Sequence, residues 1–269
     1  MDANLIRRVG AASVFVPALA AAVWWGGVPL LVCTAAIIGV GAWELFRLYR
    51  QKGAHPFLWP GVLMGVGVGV WLYGLGLRHV ESLFMLCTVG TLTAALIRRR
   101  EGASLLDVGA TLFGVLYVGL LGSALLLVRN LPLPFAAPLT LTVLTGVWIT
   151  DTVAYFAGRA FGRTRPFARV SPKKSVEGCV AGVFGGVGTV WAGNLSMKAL
   201  SWPDVLALGL IVGVGGQVGD FAESLLKRDS GVKDSSALIP GHGGVLDRFD
   251  SLLFAFPLVY TYLVFRYGI

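Results

Sequence analysis

Four cations, four carboxylates and a histidine fall within the 27 residues from Ser224 to Asp250, in a chain where charged residues make up only 13%. The cations are Lys227, Arg228, Lys233 and Arg248; the carboxylates are Asp229, Asp234, Asp247 and Asp250. Apolar runs flank this stretch on both sides, and charge beside lipid is expensive. Cations set next to paired carboxylates are what a phosphate-bearing substrate and a divalent metal require. Gln217, Asp220, Ser224 and Lys227 follow a spacing of three, seven and ten residues, which puts all four on one face of a helix. A carboxylate, a hydroxyl and an ammonium on that stripe can hold a metal and a phosphate together.

Two further groups share this character. In Pro240-Gly241-His242-Gly243-Gly244, the glycines let the backbone approach a ligand and take positive φ. Asp247 and Asp250 follow at i, i+3 at the start of a predicted helix, where they share a face and meet the N-terminal dipole. A hard ion such as Mg²⁺ takes one or two carboxylates and completes its shell with water and substrate phosphate. His242 suits loop orientation or phosphate binding; nothing in the pattern gives it a proton-transfer role. The third group begins at Asp151, Tyr155 and Arg159, again one helical face, and continues to Ser171-Pro172-Lys173-Lys174-Ser175. This second piece reads as a phosphate clamp ahead of a helix, with Ser175 as the N-cap and Lys173 and Lys174 as the binding cations. Arg163, Arg165 and Arg169 read as topology charges.

The elements that must position these residues are membrane helices. The chain has 269 residues, is 56% hydrophobic and has a mean hydropathy of +0.77, far from the composition of soluble domains. About nine segments are long and apolar enough to cross a bilayer: 9–25, 28–46, 58–77, 80–97, 105–128, 136–157, 176–195, 203–222 and 251–267. With these spans, 18 of the 22 Lys and Arg residues fall on one side and four (Arg78, Arg129, Lys198, Arg266) on the other. By the positive-inside rule the crowded side is cytoplasmic, the N-terminus is inside, and the two largest cytoplasmic loops are 158–175 and 223–250. The expected fold is an all-α polytopic bundle forming one membrane domain over 1–269. Helices occupy 1–150, the chemistry sits in 151–250, and a last helix covers 251–269. Arg7-Arg8 followed by an apolar run and Ala18 to Ala22 has the look of a secretory signal, but Trp24-Trp25-Gly26-Gly27 and a second span read better as a hairpin between two retained helices.

The net charge of +8 does not imply nucleic acid, because the cations lie in loops between spans rather than on a soluble face. Cys33, Cys87 and Cys179 are isolated in apolar runs, without metal-ligand spacing. The series Gly65, Gly67, Gly69 and Gly182, Gly185, Gly186, Gly188 lie inside spans, where small residues let helices approach. Neither joins a strand to a helix as a dinucleotide loop does.

The stretch Ser224, Lys227, Arg228, Lys233, Asp234, Pro240 to Gly244, Asp247, Arg248 and Asp250 resembles the signature of the phosphatidate cytidylyltransferase (CDP-diacylglycerol synthase) family. The segment Asp151-Thr152, Tyr155, Gly158-Arg159, Gly162-Arg163, Ser171 to Lys174 and Glu177-Gly178 is similar to that family's other characteristic region; Val153 stands where many members have Gly. The resemblance is sharp over about 151–250 and only hydropathic before it. It implies a multi-pass enzyme of the cell membrane, often a homodimer, with its active site at the cytoplasmic face, joining CTP to phosphatidate with release of pyrophosphate. It also implies Mg²⁺, with K⁺ as a candidate second ion. On this reading Asp220, Asp247 and Asp250 hold the metal, and Asp220, Lys227, Asp247 and Arg248 act at the reacting phosphates. Asp151, Lys173, Lys174, Ser224, Arg228, Lys233, His242, Gly243 and Gly244 then bind substrate. A CDP-alcohol phosphotransferase would need an Asp-Gly-x-x-Ala-Arg pattern that the chain lacks, and a CTP-dependent lipid kinase does not call for the Gly-His-Gly-Gly stretch. A transporter should place its charge near the bilayer midplane within inverted repeats; here it clusters at one edge.

Overall fold

A computed structural model describes residues 3–98, 104–238 and 243–269. The elements are α1 (Ala3–Trp25), α2 (Gly27–Gln51), α3 (Leu58–Leu75), α4 (Val80–Arg98), α5 (Ser104–Gly114), α6 (Leu121–Arg129), α7 (Ala136–Phe161), α8 (Val176–Met197), α9 (Trp202–Leu210), α10 (Gly216–Asp229), α11 (Leu246–Phe249) and α12 (Leu252–Tyr267). Wide π-helical turns at Val115–Leu120 and Ile211–Gly215 join α5 to α6 and α9 to α10 without breaking the run. No β-strand occurs among the described residues.

Eight helical stretches are long and apolar enough to cross a membrane: α2, α3, α4, α5–α6, α7, α8, α9–α10 and α11–α12. The chain is thus a polytopic helical membrane protein. The first predicted segment, 9–25, lies within α1, whose described apolar part is the shorter Ser13–Trp25. Large apolar side chains line the outer faces, among them Leu96, Phe184 and Phe265, as a hydrocarbon solvent permits. The turn after Trp25 puts Gly26 and Gly27 at φ 68° and 56°, a conformation that side chains with a Cβ disfavour. The hairpin reading of Trp24 to Gly27 is realised there.

The helices form two compact units, residues Met1–Leu127 with Asp229–Arg248, and Val128–Arg228 with Phe249–Ile269. In the first, α2 packs broadly on α3. Phe46 is fully buried, and a Cβ added at Gly61 would stand 2.6 Å from its ring. A Cβ at Gly119, in the π-turn, would come 2.8 Å from the Cα of Gly65, so the two backbones touch where the first glycine series begins. Asp107 at the start of α5 accepts the His55 amide at 2.6 Å and pairs with Arg98 at 3.6 Å. That pairing satisfies polar groups at the end of α4, near the start of α5 and in the loop before α3.

In the second unit α7 and α8 make the broadest helix pair. A Cβ at Gly182 would lie 3.0 Å from both the Ala154 Cβ and the Thr150 carbonyl, and one at Gly213 would lie 2.8 Å from the Cα of Val183. The second glycine series therefore acts in helix packing, as small residues in lipid do, although Gly188 faces open space. At one end of α9, buried Asp204 accepts from the Ser201 hydroxyl (2.6 Å), the Tyr262 hydroxyl (2.7 Å) and Arg266 Nε (2.7 Å). These bonds fix the register of α9 against α12.

Candidate active site

The second unit holds a polar cavity of about 550 Å³. Its first wall is one face of α7, where Asp151, Tyr155 and Arg159 line the space as their spacing predicts. Its second wall is the loop leading into α8. Ser175 caps α8 by accepting the Gly178 amide at 3.2 Å, as a Ser N-cap should. Glu177, in the first turn, accepts the Arg163 and Thr164 amides at 3.1 Å each, and the Val176 amide returns a bond to the Thr164 carbonyl at 2.9 Å. The loop is thereby folded back on the helix start, and Ser171, Lys173 and Lys174 enter the cavity wall. Arg165, read from the sequence as a topology charge, also lines the cavity and donates to the Pro172 carbonyl at 3.1 Å. Arg228 Nε donates to the Val170 carbonyl at 3.2 Å, tying α10 to the same loop.

The third wall is the beginning of the predicted stripe on α10, Gln217 and Asp220; Ser224 and Lys227 do not line the cavity. Asp220 accepts from Lys174 Nζ at 2.5 Å through one oxygen and from the Ser224 hydroxyl at 3.2 Å through the other. Lys174 Nζ also sits 4.4 Å from the centroid of the Phe221 ring, where the ring face attracts a cation. Gln217 donates to the carbonyls of Cys179 (3.0 Å) and Gly213 (2.7 Å). Lys227, the last member of the stripe, is buried and pairs with Glu223 at 2.8 Å. Asp250 lies beside Glu223, in the electrostatic field of Asp220 and Lys227. Sequence reasoning passed over Glu223. Its signal was its place three residues after Asp220 and four before Lys227, within reach of both along the helix.

Beside the polar cavity runs an apolar groove of about 620 Å³ between α8 and α10. Val180, Val183, Val214, Val218 and Phe221 form its surface. Lys174, Ser175, Cys179 and Gln217 belong to both spaces, so a charged compartment and an apolar one share a wall.

The first unit contains the glycine-rich stretch. His242 lies outside the described residues, as do Ile239 to Gly241. One oxygen of Asp247 accepts three hydrogen bonds, from the Ser235 amide (2.9 Å), the Ser235 hydroxyl (2.9 Å) and the Gly244 amide (2.6 Å). Gly243 has φ 81°, and a Cβ there would stand 2.6 Å from Asp247 Oδ2, so this position admits glycine for two reasons. A Cβ at Gly244 would run into the Ser235 hydroxyl and Glu44. Lys233 and Arg248 are exposed. Asp247 lies in the four-residue α11 and Asp250 in the turn after it, so the last long helix begins at Leu252. Buried Glu44 on α2 accepts from the Ser235 and Ser236 hydroxyls and the Val245 and Leu246 amides. Nothing local in the sequence marks it.

Among the described residues no three His, Cys, Asp or Glu side chains gather into a metal-ligating cluster. The carboxylates fit an ion of another kind. Mg²⁺ takes only one or two protein carboxylates and keeps water or phosphate for the rest, and Asp220 with nearby Asp250 offers such a set.

The profile of the cytidylyltransferase family matches residues 6–266. The chain belongs to this family. Its relatives include a phosphatidate cytidylyltransferase of Synechocystis sp., 33% identical over 89% of both chains. One of Thermotoga maritima is 34% identical over 88% of this chain and 87% of its own. One of Staphylococcus saprophyticus is 30% identical over 98% of this chain and 99% of its own. The cytidylyltransferase-family match thus covers both units, and with them the cavity, the groove and the Asp247 loop.

Proposed function

We propose that this membrane protein transfers the cytidylyl group of CTP to phosphatidate, giving CDP-diacylglycerol and pyrophosphate in phospholipid biosynthesis. The observation that carries this reading is the shared wall between the cavity and the groove, with Lys174 standing in both. A phosphomonoester lipid has this division in itself: an anionic head for the lysines and an acyl chain for the valines of α8 and α10. In the reaction a phosphate oxygen of phosphatidate attacks the α-phosphorus of CTP, and the bond from that phosphorus to the β-phosphate bridging oxygen breaks. The attacking group is already anionic, so no strong base is needed; catalysis rests on positioning and charge stabilisation.

Lys173 and Lys174 hold the lipid phosphate, and Arg159 and Arg165 lie beside them. Asp220 sets the position of Lys174 through their 2.5 Å contact. Asp151 and Ser224 orient polar substrate groups. Lys227, Arg228, Lys233 and Arg248 are assigned to the triphosphate and the leaving pyrophosphate, with Gly243, Gly244 and His242 as loop contacts to the nucleotide. Bound Mg²⁺ would supply positive charge to the reacting phosphates. Asp220 and Asp250 are the ligands the second unit offers it, and Asp247 the ligand the first unit offers. The resemblance adds K⁺ as a candidate second ion and a homodimer.

We further propose nine spans, with α1 as the first, its N-terminus inside and the cavity at the cytoplasmic face of the cell membrane. Support comes from the length of α1, 23 residues, and from the cavity's loop residues lying on the side with 18 of the 22 basic side chains. The test is pyrophosphate release by the purified protein with CTP, Mg²⁺ and phosphatidate, and with each of the three left out in turn. Release that requires all three supports the proposal. Release without phosphatidate, or none from folded protein in lipid, overturns it.

A further inference from the structure

Glu44 is a carboxylate with no exposed surface, set in the apolar span α2, about 190 residues away in sequence from everything it binds. Burying an ionised carboxylate is costly unless it is fully hydrogen-bonded, and here it is. Oε1 accepts from the Ser236 hydroxyl at 2.6 Å and the Val245 amide at 3.0 Å. Oε2 accepts from the Ser235 hydroxyl at 3.1 Å and the Leu246 amide at 2.7 Å. Each oxygen therefore takes one hydroxyl from one end of the 235–246 segment and one backbone amide from the other end. A two-oxygen anion is the one side-chain group that can close the segment in this way. The Ser235 hydroxyl also lies 2.9 Å from Asp247 Oδ2, so one serine stands between the two carboxylates.

We infer that Glu44 is a positioning residue for the active site: it clamps the base of the glycine-rich segment and, through Ser235, fixes the orientation of Asp247. This inference rests on the proposed reading of Asp247 as a metal- and phosphate-handling residue. Asp247 Oδ2 accepts the Ser235 and Gly244 amides, and the single proton of the Ser235 hydroxyl lies within reach of both Asp247 Oδ2 and Glu44 Oε2, so the serine ties the two carboxylates together. Residues that orient a metal-binding carboxylate act through such second contacts.

The test uses the full-length protein with Glu44→Gln. Glutamine keeps the size but turns one oxygen into an NH₂ facing a backbone amide, and two donors cannot bond. Hydrogen exchange of the peptide containing Val245 and Leu246 is read first, independently of activity. The expected result is faster exchange at those amides with the transmembrane helices unchanged. Pyrophosphate release is read next: kcat is expected to fall about 10- to 100-fold and the Mg²⁺ concentration for half-maximal release to rise, with KM for phosphatidate unchanged. A merely structural role would lower the active fraction equally at every Mg²⁺ concentration. Ser236→Ala removes one donor from the loop's edge without touching the buried core and should show a smaller effect of the same kind. Unchanged exchange at Val245 and Leu246, or a wild-type Mg²⁺ requirement in both variants, overturns the inference. Absence of release by the wild-type protein would instead overturn the proposed function, leaving the exchange result to judge the clamp.

Discussion

Asp220→Asn separates what Lys174 and Asp220 do for the fold from what they do for the reaction. The two side chains lie 2.5 Å apart and are 26% and 24% exposed. An exposed pair contributes at most about 1 kcal/mol, and removing one partner of a fully buried pair costs about 3–5 kcal/mol. At one-quarter exposure the expected loss of stability is therefore about 2 kcal/mol. The expected loss of turnover is larger. A lysine ammonium about 4 Å from a reacting phosphate, at an effective dielectric near 20, is worth about 4 kcal/mol, and without Asp220 the Lys174 ammonium is no longer held in place for it. Allowing for water in the cavity, pyrophosphate release should fall by about 10²- to 10³-fold. The double variant Lys174→Met/Asp220→Asn has no unpaired charge at this contact, so it should regain most of the lost stability and none of the turnover. Thermal unfolding in detergent and pyrophosphate release, measured on Asp220→Asn, Lys174→Met, the double variant and wild type, form the cycle. A double variant whose turnover returns to within about threefold of wild type would show that the pair is structural and that neither group meets a substrate.

Other perturbations have equally specific outcomes. Gly244→Ala would push a methyl group into the Ser235 hydroxyl and Glu44; we expect a stability loss of about 1–3 kcal/mol and at least tenfold slower release, read by unfolding and turnover. Asp204→Asn breaks the junction of Ser201, Tyr262 and Arg266, so unfolding should cost about 2–3 kcal/mol less while kcat per folded molecule stays at the wild-type value. Val218→Trp fills the groove between α8 and α10; KM should rise for long-chain phosphatidate and stay unchanged for CTP. Gly213→Val presses a branched side chain against the Val183 backbone, where a Cβ alone would approach within 2.8 Å; the expectation is about 3 kcal/mol of destabilisation or failure to fold, seen as aggregation on extraction.

Periodicity carried most of what was legible. Asp151, Tyr155 and Arg159 line one cavity because a helix returns every fourth residue to the same face, and the spacing of Gln217, Asp220 and Ser224 works for the same reason. Ser175 announces the start of α8 because a hydroxyl just before a helix has one obvious donor to satisfy, the Gly178 amide. Spans were legible because a bilayer demands about 20 apolar residues. Partnerships set by tertiary structure were not. The spacing put Lys227 on a polar stripe but did not show its burial against Glu223. Arg165 looked like one of several topology charges, and the fold-back of the loop onto Glu177 carries it to the cavity. Glu44 was invisible because its four donors are about 190 residues distant.

The acids of this chain sort by what they accept. Glu177 is bonded to backbone amides of its own loop, and Glu44 to the amides and hydroxyls at the base of another. Backbone amides cannot move to a substrate, so these two carboxylates are permanently committed to holding shape. Asp220 is different: its partners are a lysine ammonium and a serine hydroxyl, both on rotatable side chains. Asp250 accepts one backbone amide, that of Ser251 at 2.7 Å, and otherwise faces Glu223, Asp220 and Lys227. Carboxylates gathered around mobile cations gain when a new cation or a phosphate enters and the pairs exchange partners. Asp247 combines the two conditions, with one oxygen filled by two amides and a hydroxyl, the way a ligand is held when its direction matters. Neutralising an acid of the first kind should therefore disturb shape before chemistry, and neutralising one of the second kind should slow chemistry in a protein that keeps its shape.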